Sequence, residues 1–388
     1  MITVGVQGSG KSHTLACVLE SCILVPDEPN QIQLRQPLST VVFHYDTNVA
    51  SICEATGLIA TSNPTLEILK KYSISPDKYH LGREQMIVLV SPSYYLQRKK
   101  FYGDYCIVKP LLFQWKILTA DHLKRLMGIA SSDSQLYVAV LLDILRKYQR
   151  LGRLPEFSAF VEEVKKTCNV KQQEGPLGQR LALLESIIAE SDRNRSIVND
   201  SADLLIVKPG RLIVVDLTDP LLSKEDVNSI FQVLTEQYRA IPSNISGGKV
   251  LALDEAHKFM NGTSSDELSA AIVNCARLMR HDDMRLIIST QSPLSLAPEL
   301  IELCSLAILH RFYSSDWFEY LSRKLPLSPE QRNAIINLDP GVALMFAPRN
   351  RLFDDDVNTK KDGNFFTVSI RSRLTSDHGV SKRNALIT

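Results

Sequence analysis

The chain has 388 residues, 44% of them apolar, and a net charge of +1; this excludes a disordered chain and a protein held on nucleic acid by a global basic field. Its seven cysteines are scattered and never spaced C-x-x-C, which excludes a disulfide framework and a zinc site of clustered spacing and implies reduced thiols. It holds no apolar run of eighteen or more residues and no basic-then-apolar leader, so a soluble, intracellular protein of the cytoplasm or nucleus, without a membrane partner, is expected.

Taken in chain order, Ile2-Thr3-Val4 reads as a strand, and His13 to Cys22 as a helix with Leu15, Val18, Leu19 and Cys22 on one face. Between them Gly5-Val6-Gln7-Gly8-Ser9-Gly10-Lys11-Ser12 fits G-x-x-x-x-G-K-[ST] at every fixed position. Glycines there let backbone N–H groups converge on phosphates, a lysine spans the β- and γ-phosphates, and the hydroxyl reaches Mg²⁺. The loop also opens a helix, whose dipole favours anions. Gly5, Gln7, Gly8, Ser9, Gly10, Lys11, Ser12 and His13 are therefore the expected nucleotide-binding residues, with Ser12 a metal ligand.

Further on, apolar β-branched runs at Val41–Tyr45, Met86–Val90, Leu204–Val207, Leu212–Asp216, Val250–Asp254, Leu286–Thr290, Leu306–His310, Val342–Phe346 and Phe366–Ile370 alternate with helical patterns. Such alternation predicts an α/β fold with a largely parallel sheet and helices on both faces. Residues 117–200 have a different texture, with long helical patterns such as Gln135–Gln149 and Gly178–Ser191 and no strand, and read as a helical insertion. It divides a nucleotide-binding core into an N-terminal part, 1–116, and a C-terminal part, 201–374. Asp354–Asn364 reads as an exposed loop, and 375–388 as a frayed tail.

Lys249-Val250-Leu251-Ala252-Leu253-Asp254-Glu255 is an apolar strand ending in two acids, the pattern of a Walker B element. Parallel sheets bind ligands at the carboxyl ends of their strands, so these acids can serve the same triphosphate as Lys11. Asp254 is the expected second metal ligand, and Glu255 the group that orients and deprotonates water. The strand Arg285-Leu286-Ile287-Ile288-Ser289-Thr290 would place Gln291 at its tip, beside the γ-phosphate. Asp254-Glu255-Ala256-His257 also spells the DEAH-box signature, but no Ser-Ala-Thr motif follows and too little chain remains for a second motor domain.

The run Leu286–Pro293, then Leu300-Ile301-Glu302-Leu303-Cys304-Ser305 and the strand to His310-Arg311-Phe312, resembles the HerA branch of the HerA–FtsK superfamily. Leu212–Leu217 resembles that family's "IDLS" strand, Leu338–Leu344 its "L-x-x-G-x-A-L" segment, and Val368–Leu374 its closing "V-R-x-R" strand. The resemblance spans essentially the whole chain. It implies a RecA-like P-loop ATPase core that uses ATP and Mg²⁺, assembles as a hexameric ring and moves double-stranded DNA. In such rings a neighbour's arginine completes the site, and Arg371, Arg373, Arg277, Arg280 and Arg311 are the candidates, Arg371 and Arg373 foremost. A finger of this kind contributes about 10³–10⁵ in rate.

The family usually carries a β-barrel ahead of the motor that helps build the ring and recruit a partner nuclease; the resemblance here implies the motor without that barrel. His44-Tyr45-Asp46-Thr47-Asn48 departs from the family's "D-P-x-G-E". Arg98-Lys99-Lys100-Phe101-Tyr102, preceded by Tyr94 and Tyr95, is either a segment that grips phosphates and stacks on bases or a solvated stretch packed on the insertion. The alternative to a DNA motor is an ATP-dependent switch or assembly module that does not translocate.

Overall fold

The computed structural model describes residues 1–24, 36–103, 105–129, 136–168, 174–194, 197, 205–242, 244, 247–263, 266–348 and 364–377. Ten strands form one sheet: β1 (Ile2–Val4), β2 (Ser39–His44), β3 (Met86–Val90), β4 (Ile107–Pro110), β5 (Leu212–Asp216), β6 (Lys249–Leu253), β7 (Met284–Thr290), β8 (Ala307–Leu309), β9 (Val342–Phe346) and β10 (Phe365–Ser369). Their order is β10-β9-β8-β1-β7-β6-β2-β5-β3-β4. From β8 to β4 every pairing is parallel, and β9 and β10 are added antiparallel.

The central strands β2, β3, β5 and β6 are buried along their whole length, which explains why they read as continuous apolar runs. Successive side chains still point to opposite faces. Val41, Phe43, Ile213, Val215, Leu251 and Leu253 join the core on one face, and Val42, Leu212, Val214, Val250 and Ala252 join that on the other. Helix α1 (Lys11–Ile23) covers the second face through Leu15, Ala16, Leu19 and Ile23.

Beyond α2 (Asn63–Lys71) and α3 (Tyr95–Tyr102), helices α4 (Ala120–Leu126), α5 (Leu136–Leu151), α6 (Phe157–Thr167) and α7 (Glu174–Ile187) occupy the region read as an insertion. They share the first face's core, where Trp115 is buried against Phe157 and Phe160 and donates Nε1–H to Pro155 O at 2.6 Å. Helix α8 (Lys224–Ala240) follows on the same face. It opens on a capping box, in which Ser223 Oγ accepts from Asp226 N–H and the Asp226 carboxylate accepts from Ser223 N–H, each at 3.1 Å. Phe231 of α8 stacks on Phe43 with ring centroids 4.3 Å apart, a contact worth about 0.5–1.5 kcal/mol beyond its buried area.

One sequence expectation fails, and the expected frayed tail, which lies outside the described residues beyond 377, does not begin at 375. Residues 205–207 form no strand. Both edges of β5 are already taken by β2 and β3, and a parallel neighbour only four residues upstream of β5 lacks the crossover such pairing needs. Thr375 is not frayed: it is fully buried, forms a bridge with Thr61, and Ser376 N–H donates to Ala60 O at 2.7 Å. The short half-buried edge strand β4 escaped the sequence reading because it has too few apolar residues to stand out. The expected loop Asp354–Asn364 lies outside the described residues except for Asn364. Among the described residues no helix is long and apolar enough to cross a membrane.

Candidate nucleotide site at the carboxyl ends of β1, β6 and β7

The loop between β1 and α1 is shaped by its glycines. Gly8 and Gly10 have φ of 74° and 101°, a region that L side chains rarely adopt, and Gly10 caps α1. A Cβ on Gly5 would fall 2.5 Å from Ser9 Oγ and 2.7 Å from His310 Cβ, so only glycine fits between the loop and β8. Lys11, the first helical residue, is 3% exposed and donates Nζ–H to Val6 O at 2.9 Å. Burial lowers its pKa, while Glu255 and Asp254 oppose that shift. Gln7 and Gly8 are exposed and Ser9, Ser12 and His13 half-buried, His13 Nε2 lying 2.8 Å from Arg371 O.

Strand β7 alone separates β1 from β6, so the acids that follow β6 stand near the loop. Asp254 is almost fully buried, its N–H donates to Phe43 O at 2.9 Å, and its Oδ1 has no partner among the described residues. Ser9 Oγ is buried and likewise without a partner. A cradle that only glycine fits, a buried lysine and an unpaired carboxylate oxygen form a donor set suited to a Mg²⁺ triphosphate.

Glu255 sits in the left-handed region with φ of 51°. A non-glycine residue held there is strained, a cost of order 1–3 kcal/mol that such sites tolerate. Its carboxylate accepts from Gln291 Nε2–H at 3.0 Å. Burial and the Asp254 charge raise the pKa of Glu255, against the pull of Lys11 and Gln291. The Nδ1 of His257 lies 3.2 Å from Glu255 and accepts the Gln291 N–H at 3.3 Å. Burial, with Lys258 and Lys11 nearby, pushes His257 down to about 4. The ring is therefore neutral, with its proton on Nε2, and the approach to Glu255 is not an ion pair.

Lys11, Asp254, Glu255 and Gln291 thus stand together at the carboxyl end of the central strands. The arginines do not join them. Arg371 donates to Glu20 at 2.6 Å and to Cys17 O at 3.0 Å, and the buried Arg373 pairs with Glu54 at 3.1 Å. Both are engaged inside the chain, Arg373 fully and Arg371 with 41% of its side chain exposed. Arg277 pairs with Glu299 at 2.6 Å, Arg280 is exposed, and Arg311 lies 6.0 Å from the Tyr313 ring. Asp46 is held down to about 2: burial works against this, but the Asn48 N–H and Lys258, whose Nζ is 2.5 Å away, prevail.

Several partners were not legible in the sequence. His44, at the end of β2, places Nδ1 3.2 Å from Asp254 Oδ2, and Cys53 brings its Sγ to 3.9 Å from the same oxygen. His310 Nε2 lies 2.9 Å from Thr14 Oγ1 in α1. The basic segment divides: Lys99, Lys100 and Phe101 are exposed, while Arg98 is buried against Asp216 and donates to Val49 O and Ser51 O at 3.0 and 3.1 Å. Arg98 is therefore not available to grip a phosphate. A polar residue at the end of a strand is the signal that could have found His44; nothing local marks Cys53.

No family model and no curated protein matches the chain. Among solved structures, VirB4 of Thermoanaerobacter pseudethanolicus superposes with a TM-score of 0.52 at 15% identity over 96% of this chain and 89% of that one. The bacterial conjugative coupling protein TrwB gives 0.52 at 12% identity over 97% and 86%, both unbound and in complex with the non-hydrolysable GTP analogue GDPNP. At such identities the likeness concerns the fold alone. The sheet order, the loop before α1 and these superpositions agree: the chain has a RecA-like P-loop NTPase fold, the fold of VirB4 and TrwB.

Proposed function

We propose that the chain is an ATP-hydrolysing motor of the HerA-like kind, acting on double-stranded DNA as an oligomeric ring. The observation that supports the hydrolytic part is the convergence of Lys11, Asp254, Glu255 and the Glu255–Gln291 hydrogen bond beside a loop in which only glycine fits; the DNA and the ring rest on the resemblance in sequence. The backbone N–H groups from Gln7 to His13 hold the phosphates and Lys11 spans the β- and γ-phosphates. Ser12 and Asp254 Oδ1 would hold Mg²⁺, which would supply neutralisation of charge developing on the phosphate oxygens. Glu255 takes a proton from the attacking water, its raised pKa favouring that transfer. Gln291 fixes the Glu255 carboxylate and senses the γ-phosphate.

TrwB is a conjugative coupling protein whose structure holds a nucleoside triphosphate analogue, and VirB4 shares the fold; both support the reading of a nucleotide-driven motor. With Arg373 buried against Glu54, the trans arginine falls to one of Arg371, Arg277, Arg280 and Arg311. Phosphate release from ATP should rise with added duplex DNA, and more steeply than linearly with protein concentration. Release that is indifferent to both would leave hydrolysis standing and remove the DNA-driven ring.

A further inference from the structure

On the side of Asp254 turned from its unpaired oxygen lie two groups that the hydrolytic reading does not use. His44 ends β2, and Cys53 ends the segment that follows it. One ligand atom from each of His44, Cys53 and Asp254 lies within 4.8 Å of the other two, and the three residues are 2%, 0% and 2% exposed. Sequence spacing excluded a zinc site because the three ligands are 9 and 201 positions apart, counting from 44 to 53 and from 53 to 254; the fold brings them together.

We propose that His44 Nδ1, Cys53 Sγ and Asp254 Oδ2 form a binding site for a borderline-soft divalent cation, Zn²⁺ first. The donor set of nitrogen, sulfur and oxygen suits zinc and not magnesium, which takes oxygen. Tetrahedral bonds of about 2.0–2.3 Å set neighbouring donors roughly 3.3–3.7 Å apart. The His44–Asp254 and Cys53–Asp254 separations, 3.2 and 3.9 Å, already lie close to that range, and the His44–Cys53 pair needs only to draw in. Ser51 Oγ, 3.3 Å from His44 Nε2, supplies the outer partner that orients a metal-bound imidazole. Residues 47–50 of the loop after β2 are exposed, so an ion would have to pass this loop, which Arg98 holds through Val49 O and Ser51 O. On binding, the Cys53 thiol loses its proton to solvent, and the neutral imidazole bonds the ion through an unprotonated Nδ1 with its proton on Nε2, beside Ser51 Oγ.

The consequence is inhibition. Zinc on Oδ2 takes up the charge of the carboxylate whose Oδ1 is assigned to Mg²⁺ and sets a second divalent ion beside it, so zinc opposes the arrangement that hydrolysis requires. This consequence rests on the proposed hydrolytic role of Asp254; the site itself does not.

The test uses Co²⁺ as a spectroscopic probe, added to the full chain without nucleotide or Mg²⁺. One equivalent should give a thiolate-to-cobalt band and intense tetrahedral d–d bands, both abolished by one equivalent of Zn²⁺. Cys53→Ser should lose the thiolate band, and Cys53→Ser and His44→Ala should each bind Zn²⁺ at least about tenfold more weakly. Cys106→Ser, a buried thiol elsewhere, should keep the band. In ATP turnover, Cys53→Ser should resist Zn²⁺ concentrations that inhibit the parent. No band at one equivalent, or a band that survives Cys53→Ser and Cys53→Ala, overturns the site. A cobalt band in a protein that never hydrolyses ATP supports the site and removes the proposed function instead.

Discussion

Glu20 holds residues 371–375 to the helix that carries Lys11. It sits in α1, 1% exposed, and its carboxylate accepts from Arg371 Nη1 at 2.6 Å, Leu374 N at 3.2 Å, Thr375 N at 2.9 Å and Thr375 Oγ1 at 2.6 Å. Glu20→Ala removes the acceptor for all four donors. Three of them belong to Leu374 and to the fully buried Thr375, where an unsatisfied donor costs about 1–3 kcal/mol. Arg371 is partly exposed and recovers some hydration. The sum is limited by relaxation of the segment, so a loss of about 3–5 kcal/mol is expected, as for other broken buried pairs. Glu20→Gln keeps one acceptor oxygen but turns an NH₂ group toward other donors, and should fall between parent and alanine variant. Urea unfolding gives the global loss, and hydrogen exchange at the Leu374 and Thr375 amides gives the local one. An alanine variant within 1 kcal/mol of the parent with unchanged protection at both amides would refute the anchoring role.

Three further outcomes follow from the same contacts. Gly5→Ala should abolish nucleotide binding while the chain stays folded, because its Cβ would lie 2.5 Å from Ser9 Oγ and the loop must shift; equilibrium binding of a fluorescent ATP analogue checks this. Burial, with Lys11 and His13 nearby, pushes His310 down to about 4 from an ordinary 6.5. The unfolded chain therefore takes up this proton first as pH falls, so stability complete above about pH 6.5 is lost toward pH 4, by on the order of 3 kcal/mol; His310→Gln should flatten that slope in urea titrations at stepped pH. Arg98→Ala leaves Asp216 charged and buried and should cost about 3–5 kcal/mol, whereas Arg98→Met with Asp216→Leu should cost less than the two single changes summed. A strictly additive pair would show that the two side chains do not interact.

The parts of the fold that the sequence displays are those with one physical cause. Strands β2, β3, β5 and β6 are buried on both faces, so their apolar runs could be read directly. Leu205–Val207 has the same apolar character, but strand formation needs a free sheet edge, and pairing is not written in a local run. Lys11 and the acids after β6 were legible because phosphate chemistry ties residue types to fixed spacings. The contacts of Arg371 and Arg373 were not. An arginine reads the same whether it faces a neighbour or a buried Glu20, and only the path of residues 371–376 over α1 and α2 decides between them. His44 and Cys53 gain their meaning from Asp254, some 200 residues away, which no window of sequence spans.

The central claim is that Glu255 activates water at a site built on Lys11, and single-turnover phosphate release from bound ATP in Mg²⁺ tests it most directly. Comparison of the parent with Glu255→Gln should show ATP binding of similar affinity and release slowed by about 10²–10⁴, the usual contribution of a general base. Release by the variant within tenfold of the parent, at equal ATP occupancy, would contradict it.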